Sequence, residues 1–314
     1  MARKKRGAGL ALGSGGARGL CSIGVLLWLK EHDVRIECVS GSSIGSIIGG
    51  AFAAGFTPEF MKEIATSFGW KDYLSVVKLS FGGKSILEWK KIEKIMRTNL
   101  GDKKIEDLEI PFACVASDID SGREFVFREG DLVEAMSASA CMPGIFPPVR
   151  AMGRHLVDGE ILNPVPINLA KELGARKVIG VNASRSVFPE RMSHNAGRIG
   201  LLEKVDDWMR ESVAGKPLLS SINPGKWKAL VEKEKRGRRK RNIMDIFTDS
   251  LAITTARVLE LTELKTGPHF MINPGVGAFQ TFDFDRAGEI IDLGYGETER
   301  VKDELFHFLD SRKG

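Results

Sequence analysis

Residues 35–50, Arg35-Ile36-Glu37-Cys38-Val39-Ser40-Gly41-Ser42-Ser43-Ile44-Gly45-Ser46-Ile47-Ile48-Gly49-Gly50, carry the reading of this chain. A β-branched run around Ile36 to Val39 leads into a Gly/Ser turn, and a small-residue helix follows from about Ile44 to Ala54, ended by Gly55 and Pro58. The turn itself, Gly41-Ser42-Ser43-Ile44-Gly45, is a G-x-S-x-G. That pattern suits a sharp strand-to-helix bend that exposes a serine, because small residues two before and two after it let neighbouring backbone approach. The five letters alone are a weak signal, and the strand before and helix after them give it weight. The plainer alternative is a Gly/Ser turn that serves only helix packing.

Working outward, the apolar run Ala8 to Leu12 precedes a second glycine-rich turn, Gly13-Ser14-Gly15-Gly16-Ala17-Arg18-Gly19, and a helix-like stretch from Arg18 to Glu31. Strand, turn and helix, twice in succession, predict a parallel sheet with both turns at strand C-terminal ends, where open sheets place their sites. Trp89, Ile92, Ile95 and Met96 predict a surface helix over 87–100. Strands are expected at Phe112 to Ser117 and Glu124 to Phe127, around the polar DIDSGR. A helix Pro166 to Leu173 and a strand Lys177 to Val181 follow. Helical spacing returns from Ile243, then a strand His269 to Ile272 and a last amphipathic helix near Thr298 to Leu309. No internal repeat is found.

The chain has 314 residues, with 43% apolar and 28% charged residues, which argues against a disordered, collagenous or multi-span membrane protein. Four scattered cysteines, Cys21, Cys38, Cys114 and Cys141, form neither a disulfide framework nor a zinc pattern, and a reducing compartment fits best. The basic start MARKKR copies a signal peptide superficially, but its apolar continuation is mostly Gly and Ala and is soon interrupted by Arg18. Cys38 to Pro58 is uncharged for 21 residues, yet nine of these are Gly or Ser, too weak a hydropathy for a transmembrane helix. The net charge of +5 is local: Lys226 to Arg241 holds nine Lys or Arg against Glu232 and Glu234. That run is either a solvated surface loop or a membrane contact, in which Arg236, Arg238, Arg239, Lys240 and Arg241 would meet an anionic lipid surface.

The chemistry then depends on what serves Ser43. Successive N–H groups in the turn at Gly13 to Gly19 suit a negative oxygen, either a phosphate or the oxyanion of acyl transfer. A dinucleotide fold would want G-x-G-x-x-G, but Arg18 takes the last glycine's place; Glu37 would be its ribose-binding acid. Gly82-Gly83-Lys84-Ser85 resembles a P-loop tail, but Lys78 stands where the first glycine belongs. The histidines are His32, His155, His194, His269 and His307, and the order Ser, acid, His would let His269 or His307 complete a triad. By contrast His155-Leu156-Val157-Asp158-Gly159 is an apolar strand delivering an aspartate into a turn, where burial would let it take the serine proton directly.

Four elements stand in the order and spacing of bacterial patatin-like phospholipases. They are Ser14-Gly15-Gly16-Ala17-Arg18-Gly19, the elbow at Ser43, the stretch Ser139-Ala140-Cys141-Met142-Pro143-Gly144-Ile145-Phe146-Pro147-Pro148, and Asp158-Gly159. The chain resembles that family from about Gly7 to Asn182 and again near Pro268 to Gly294. The resemblance implies a Ser/Asp dyad without histidine, in an α/β sandwich that cleaves acyl esters through an acyl-enzyme. Carried over, Ser43 is the nucleophile, Asp158 the general base, and the Gly15 and Gly16 amides the oxyanion hole, with Ser14 and Arg18 supporting that loop. Two residues depart from the family pattern. Ser14 replaces a glycine, its N–H expected to stay available. Glu160 follows Asp158-Gly159 where Gly or Ala is common, either to raise the pKa of Asp158 or to face solvent.

The expected fold is thus a three-layer α/β/α sandwich around a mostly parallel sheet. Residues 7–183 and 266–310 form the catalytic domain, and 184–265 a helical, basic insertion. The expected function is hydrolysis of lipid carboxylic esters with no metal or organic cofactor, by a cytoplasmic protein peripheral to the inner membrane surface. Two rivals remain: a non-catalytic membrane-surface or nucleic-acid adaptor working through 226–241, and a dinucleotide-binding enzyme. Nucleic acid is the weaker partner, since only Trp227 lies within the run as a stacking aromatic.

Overall fold

The computed structural model describes residues 6–67, 85–184, 243–267 and 269–311. The chain divides into two compact units, Met1–Arg185 with Thr254–Gly314, and Ser186–Ile253. In chain order, the first unit opens with strand β1 (Gly7–Leu12), a 3-10 turn Gly16–Leu20, helix α1 (Cys21–Glu31), β2 (Arg35–Ser42), α2 (Ile44–Ala53) and α3 (Pro58–Ser67). Then come α4 (Ser85–Leu100), the hairpin β3 (Phe112–Asp118) and β4 (Arg123–Phe127), α5 (Leu132–Ser139), and the hairpin β5 (Val149–Ala151) and β6 (Arg154–Asp158). A short α6 (Ile167–Glu172), β7 (Val178–Val181), α7 (Ile243–Thr266), β8 (Phe270–Ile272), α8 (Ala287–Arg300) and α9 (Lys302–Asp310) complete it, α7 beginning in the second unit.

Among the described residues, eight strands form one sheet in the order β5-β6-β3-β2-β1-β7-β8, with β4 also on β3. Strands β3, β2, β1, β7 and β8 are mutually parallel, and β4, β5 and β6 add antiparallel pairs at one side. The central strand β1 is covered on both faces, as parallel strands are. Its Ala8, Leu10 and Leu12 join a large cluster with Ile23 and Leu26 of α1, Met136 of α5 and Ile290 and Ile291 of α8. Its Ala11 faces Ile167 and Ala170 of α6, Val178 of β7 and Leu259 of α7. These are the three layers expected.

One feature of the register positions the site. Strand β2 pairs with β3 from Val39–Phe112 to Ser42–Val115, and β6 pairs with β3 from Ala116–Asp158 to Asp118–Leu156. The other edge of β3 is occupied by β4 from Cys114 to Asp118. Strands β2 and β6 therefore share a single edge of β3, run in opposite directions, and end against each other. Their last residues are Ser42 and Asp158.

The helical differences from the sequence reading have local causes. The first helix begins as a 3-10 turn at Gly16, not at Arg18, and the final helix is two, α8 and α9, broken at Val301. Helix α8 is hidden in the sequence by Gly288, Gly294 and Gly296, poor helix formers. Gly294 is there for proximity: a Cβ on it would strike the carbonyl of Cys21 in α1, and one on Gly24 of α1 would strike the carbonyl of Ile291 in α8. The uncharged stretch from Cys38 to Pro58 is split by the elbow, leaving α2 about 15 Å long. Among the described residues, no helix is long and apolar enough to cross a membrane.

The α1/α8 contact predicts opposite signs for two glycine substitutions. Gly24→Ala should cost about 1–3 kcal/mol, because backbone cannot retreat from the new methyl group. Gly296→Ala, where a Cβ meets nothing within 4 Å, should gain up to about 1 kcal/mol of helix propensity. Urea denaturation of the two variants reads both; equal effects would mean that the helices are not in such close contact.

Candidate active site

Ser43 sits between β2 and α2 with φ 56 and ψ −128, a region that non-glycine residues avoid and that an elbow enforces. The flanking glycines have specific reasons. A Cβ on Gly41 would lie 2.5 Å from the Cα of Ser46, and one on Gly45 would collide with the carbonyl of Leu12 at the end of β1. The main chain of Ser43 is held on both sides. Its N–H donates to Ser139 Oγ at 3.1 Å, and its carbonyl accepts from Ser46 N–H at 2.8 Å and Ser46 Oγ at 2.6 Å. With the backbone pinned, the hydroxyl has a defined direction: it donates to Asp158 Oδ2 at 2.6 Å.

Asp158 meets Ser43 because β6 ends where β2 ends. Its N–H donates to the carbonyl of Cys141 at 2.9 Å, and its Oδ1 accepts from Glu160 N–H at 2.8 Å. The chain then turns over β3 at Gly159, where a Cβ would strike the carbonyl of Val115. Ser43 is 5% and Asp158 1% exposed, so the pair is removed from bulk water. Burial pushes the Asp158 carboxyl far above the ordinary carboxylate range and the nearby Glu160 pushes it further, against the hydroxyl of Ser43 and the N–H of Glu160.

The glycine-rich turn lies at the end of the neighbouring strand β1. Gly13 N–H donates to the carbonyl of Val181 at 3.0 Å, Ser14 N–H to that of Pro164 at 2.9 Å, and Ala17 N–H to that of Thr281 at 2.8 Å. Among the described residues, the N–H groups of Gly15 and Gly16 between them have no hydrogen-bond acceptor. Both residues have positive φ, 149 and 59, and a Cβ would meet the carbonyls of Ala183 and Thr281 respectively. This corrects the expectation for Ser14. Its N–H is not available to a ligand, because the chain after Asp158 returns alongside the turn and the Pro164 carbonyl takes that proton.

Glu160 is also decided: it does not face solvent. It is 7% exposed, accepts from Thr255 Oγ1 of α7 at 3.3 Å, and has Arg18 and the Ser14 hydroxyl as its other polar surroundings. Arg18, itself 5% exposed, belongs to the turn that carries Gly15 and Gly16. Neither His269 nor His307 is bonded to the pair. His269 Nδ1 is 2.8 Å from the carbonyl of Gly267, His307 lies on α9, and His155 pairs with Asp120 on the outside of the β3–β4 turn. His194 and the basic residues Arg236, Arg238, Arg239, Lys240 and Arg241 lie outside the described residues. The four cysteines are buried and free, and burial raises the thiol of Cys141, next to Asp158, to about 12.

Three contributors carry no functional signal in the sequence. Ser139 opens a quoted motif, but nothing marked it as an acceptor for the Ser43 amide. Thr281 and Thr255 sit in segments without a motif, and no signal was available for either.

The family then follows from comparison. The sequence model described as patatin-like phospholipase matches residues 10–171, more than half of the chain, and the chain belongs to that family. An NTE family protein of Mycobacterium tuberculosis (strain ATCC 25618 / H37Rv) is 37% identical over 188 residues, 60% of this chain and 50% of its own length. Patatin-like phospholipase domain-containing protein 6 of Homo sapiens is 28% identical over 91% of this chain and 19% of its own. Lysophospholipase NTE1 of Scheffersomyces stipitis is 24% identical over 93% of this chain and 18% of its own. The chain thus spans half the length of the first of these relatives and about a fifth of the other two.

Proposed function

We propose that the protein is a lipid acyl hydrolase in which Ser43 is the nucleophile and Asp158 its general base. The observation that carries this is the direct 2.6 Å bond from the Ser43 hydroxyl to a buried carboxylate at a strained strand-to-helix turn. Asp158 takes the hydroxyl proton as Ser43 Oγ attacks the ester carbonyl carbon. The amides of Gly15 and Gly16 hold the oxyanion that forms. Collapse of the tetrahedral intermediate expels the alcohol, which leaves with the proton from Asp158. Water then attacks the acyl-enzyme, Asp158 takes a proton from it, and the acid departs as Ser43 recovers its own. No step calls on a metal or organic cofactor. The name of the lysophospholipase relative makes a lysophospholipid the first substrate to try.

In the same reading, residues 184–265 interrupt the catalytic domain as an insertion, and the protein works as a peripheral visitor to the cytoplasmic face of an anionic membrane. A basic run supports that: Lys226 to Arg241 carries nine cations in 16 residues. Each cation near an anionic leaflet contributes about 1 kcal/mol before screening.

Ser43→Ala and Asp158→Asn should each lower ester hydrolysis by roughly 10³-fold or more. His269→Ala and His307→Ala should keep most of it; loss in either with the fold intact would support a triad instead. A base must be unprotonated to act, so the raised Asp158 carboxyl moves the acidic limb of kcat/KM above the ordinary carboxylate range, activity rising with pH through it. An unshifted limb would speak against Asp158 as the base.

Co-sedimentation with liposomes should rise with anionic lipid content and fall with salt. Neutralising Arg236, Arg238, Arg239, Lys240 and Arg241 together should weaken it at least about tenfold. Undiminished binding by the quintuple variant would take the anchor away from this segment.

A further inference from the structure

The site contains a second buried acid that the dyad chemistry does not use. Glu160 lies two residues beyond Asp158 in the 3-10 turn Gly159–Ile161, which Asp158 caps by accepting the Glu160 N–H. Its side chain points inward, accepts from Thr255 Oγ1 of α7 at 3.3 Å, and lies in the field of Arg18 of the glycine-rich turn. Taking a carboxylate out of water is costly unless a cation or donors replace the water, and here the buried cation Arg18 and the hydroxyl of Thr255 do so.

Among the described residues, a small set of charged and titratable groups surrounds the pair. Asp158 faces Glu160, the thiol of Cys141 and the hydroxyl of Ser43. Glu160 faces Asp158 and Arg18, with the hydroxyls of Thr255 and Ser14. Arg18 opposes the burial that would protonate Glu160, and wherever Glu160 is ionised Asp158 must ionise beside a negative charge. Like charges in a shared dry site hold the second proton more tightly.

We propose that Glu160 is a positioning residue whose carboxylate, buried two residues beyond Asp158 and in the field of Arg18, tunes the basicity of Asp158. The inference rests on the dyad reading above. In support, Glu160 is the main charged contributor to the raised carboxyl of Asp158, after burial itself. Burial also raises Glu160, with the positive charge of Arg18 the largest opposing influence. Because the stronger base is also the one protonated to higher pH, Glu160 trades activity in mild acid for a faster proton transfer at higher pH.

The test is the pH dependence of two reactions at Ser43: kcat/KM for a water-soluble ester, and the rate of labelling by a neutral organophosphonate ester. Glu160→Gln keeps the shape and hydrogen-bonding capacity and removes the charge; Glu160→Gly removes both, and Glu160→Asp keeps the charge. In the two neutral variants the acidic limb should move to lower pH by about one unit or more, with a severalfold lower plateau. Glu160→Asp should keep the limb of the wild type. Since the pair is buried, the limbs should not move between 0.1 and 1 M salt, concentrations at which exposed pairs about 10 Å apart are screened. A plateau that falls while the limb stays in place, in whichever neutral variant folds, would reduce Glu160 to a structural role and overturn the proposal. If wild type is not labelled at Ser43 at all, the dyad reading fails and takes this inference with it.

Discussion

The structure depends on a single edge of β3. Strand β2 climbs that edge to Ser42, β6 descends it to Asp158, and β4 fills the opposite edge over the same residues. Two strand ends that meet on one edge leave no room for either to continue. The chain must turn out at Ser43 into α2 and turn over β3 at Gly159. Each turn needs a glycine where backbone passes backbone: Gly45 against Leu12, and Gly159 against Val115. The 2.6 Å contact between Ser43 and Asp158 is therefore a consequence of register, with both partners placed by rigid sheet and neither by a mobile loop.

Rigid placement is what a two-residue mechanism requires. A histidine relay can reorient its ring; a carboxylate acting alone must already point at the hydroxyl and must be basic enough to take its proton. Burial supplies the basicity, since a carboxylate at 1% exposure loses the water that stabilises its charge. The cost of that burial is offset by the hydroxyl of Ser43 and the N–H of Glu160. The strained φ of Ser43 is borne by its neighbours, through the bonds of its amide to Ser139 and of its carbonyl to Ser46. On the other side of the reacting centre, three of five consecutive amides in the glycine-rich turn are consumed in fixing the turn. The two left over, those of Gly15 and Gly16, are the ones that the motif singles out.

Much of this is legible in the residues before any coordinate is known. The strand-turn-helix rhythm from Ala8 to Ala54 announces a parallel sheet, and the small residues around Ser43 announce a turn in which backbones touch. An apolar run ending in Asp158 announces an acid at a strand end. What stays hidden is tertiary. Nothing local tells that the Pro164 carbonyl occupies the Ser14 amide, since that bond joins segments 150 residues apart in sequence. Nor does a Glu after Asp-Gly reveal which way it points; its inward course takes it to Thr255, far downstream, and into the field of Arg18, far upstream. Helix α8 is masked by the same glycines that let it lie against α1.

In the proposed mechanism Ser43 carries the acyl group during turnover. Rapid acid quench of the enzyme with a slowly deacylating lipid ester, followed by peptide mass spectrometry, measures this directly. The expected result is a mass increase equal to one acyl group on the peptide containing Ser43, appearing before free acid accumulates. Acyl groups on another residue, or steady release of acid with Ser43 unmodified at every time point, would contradict it.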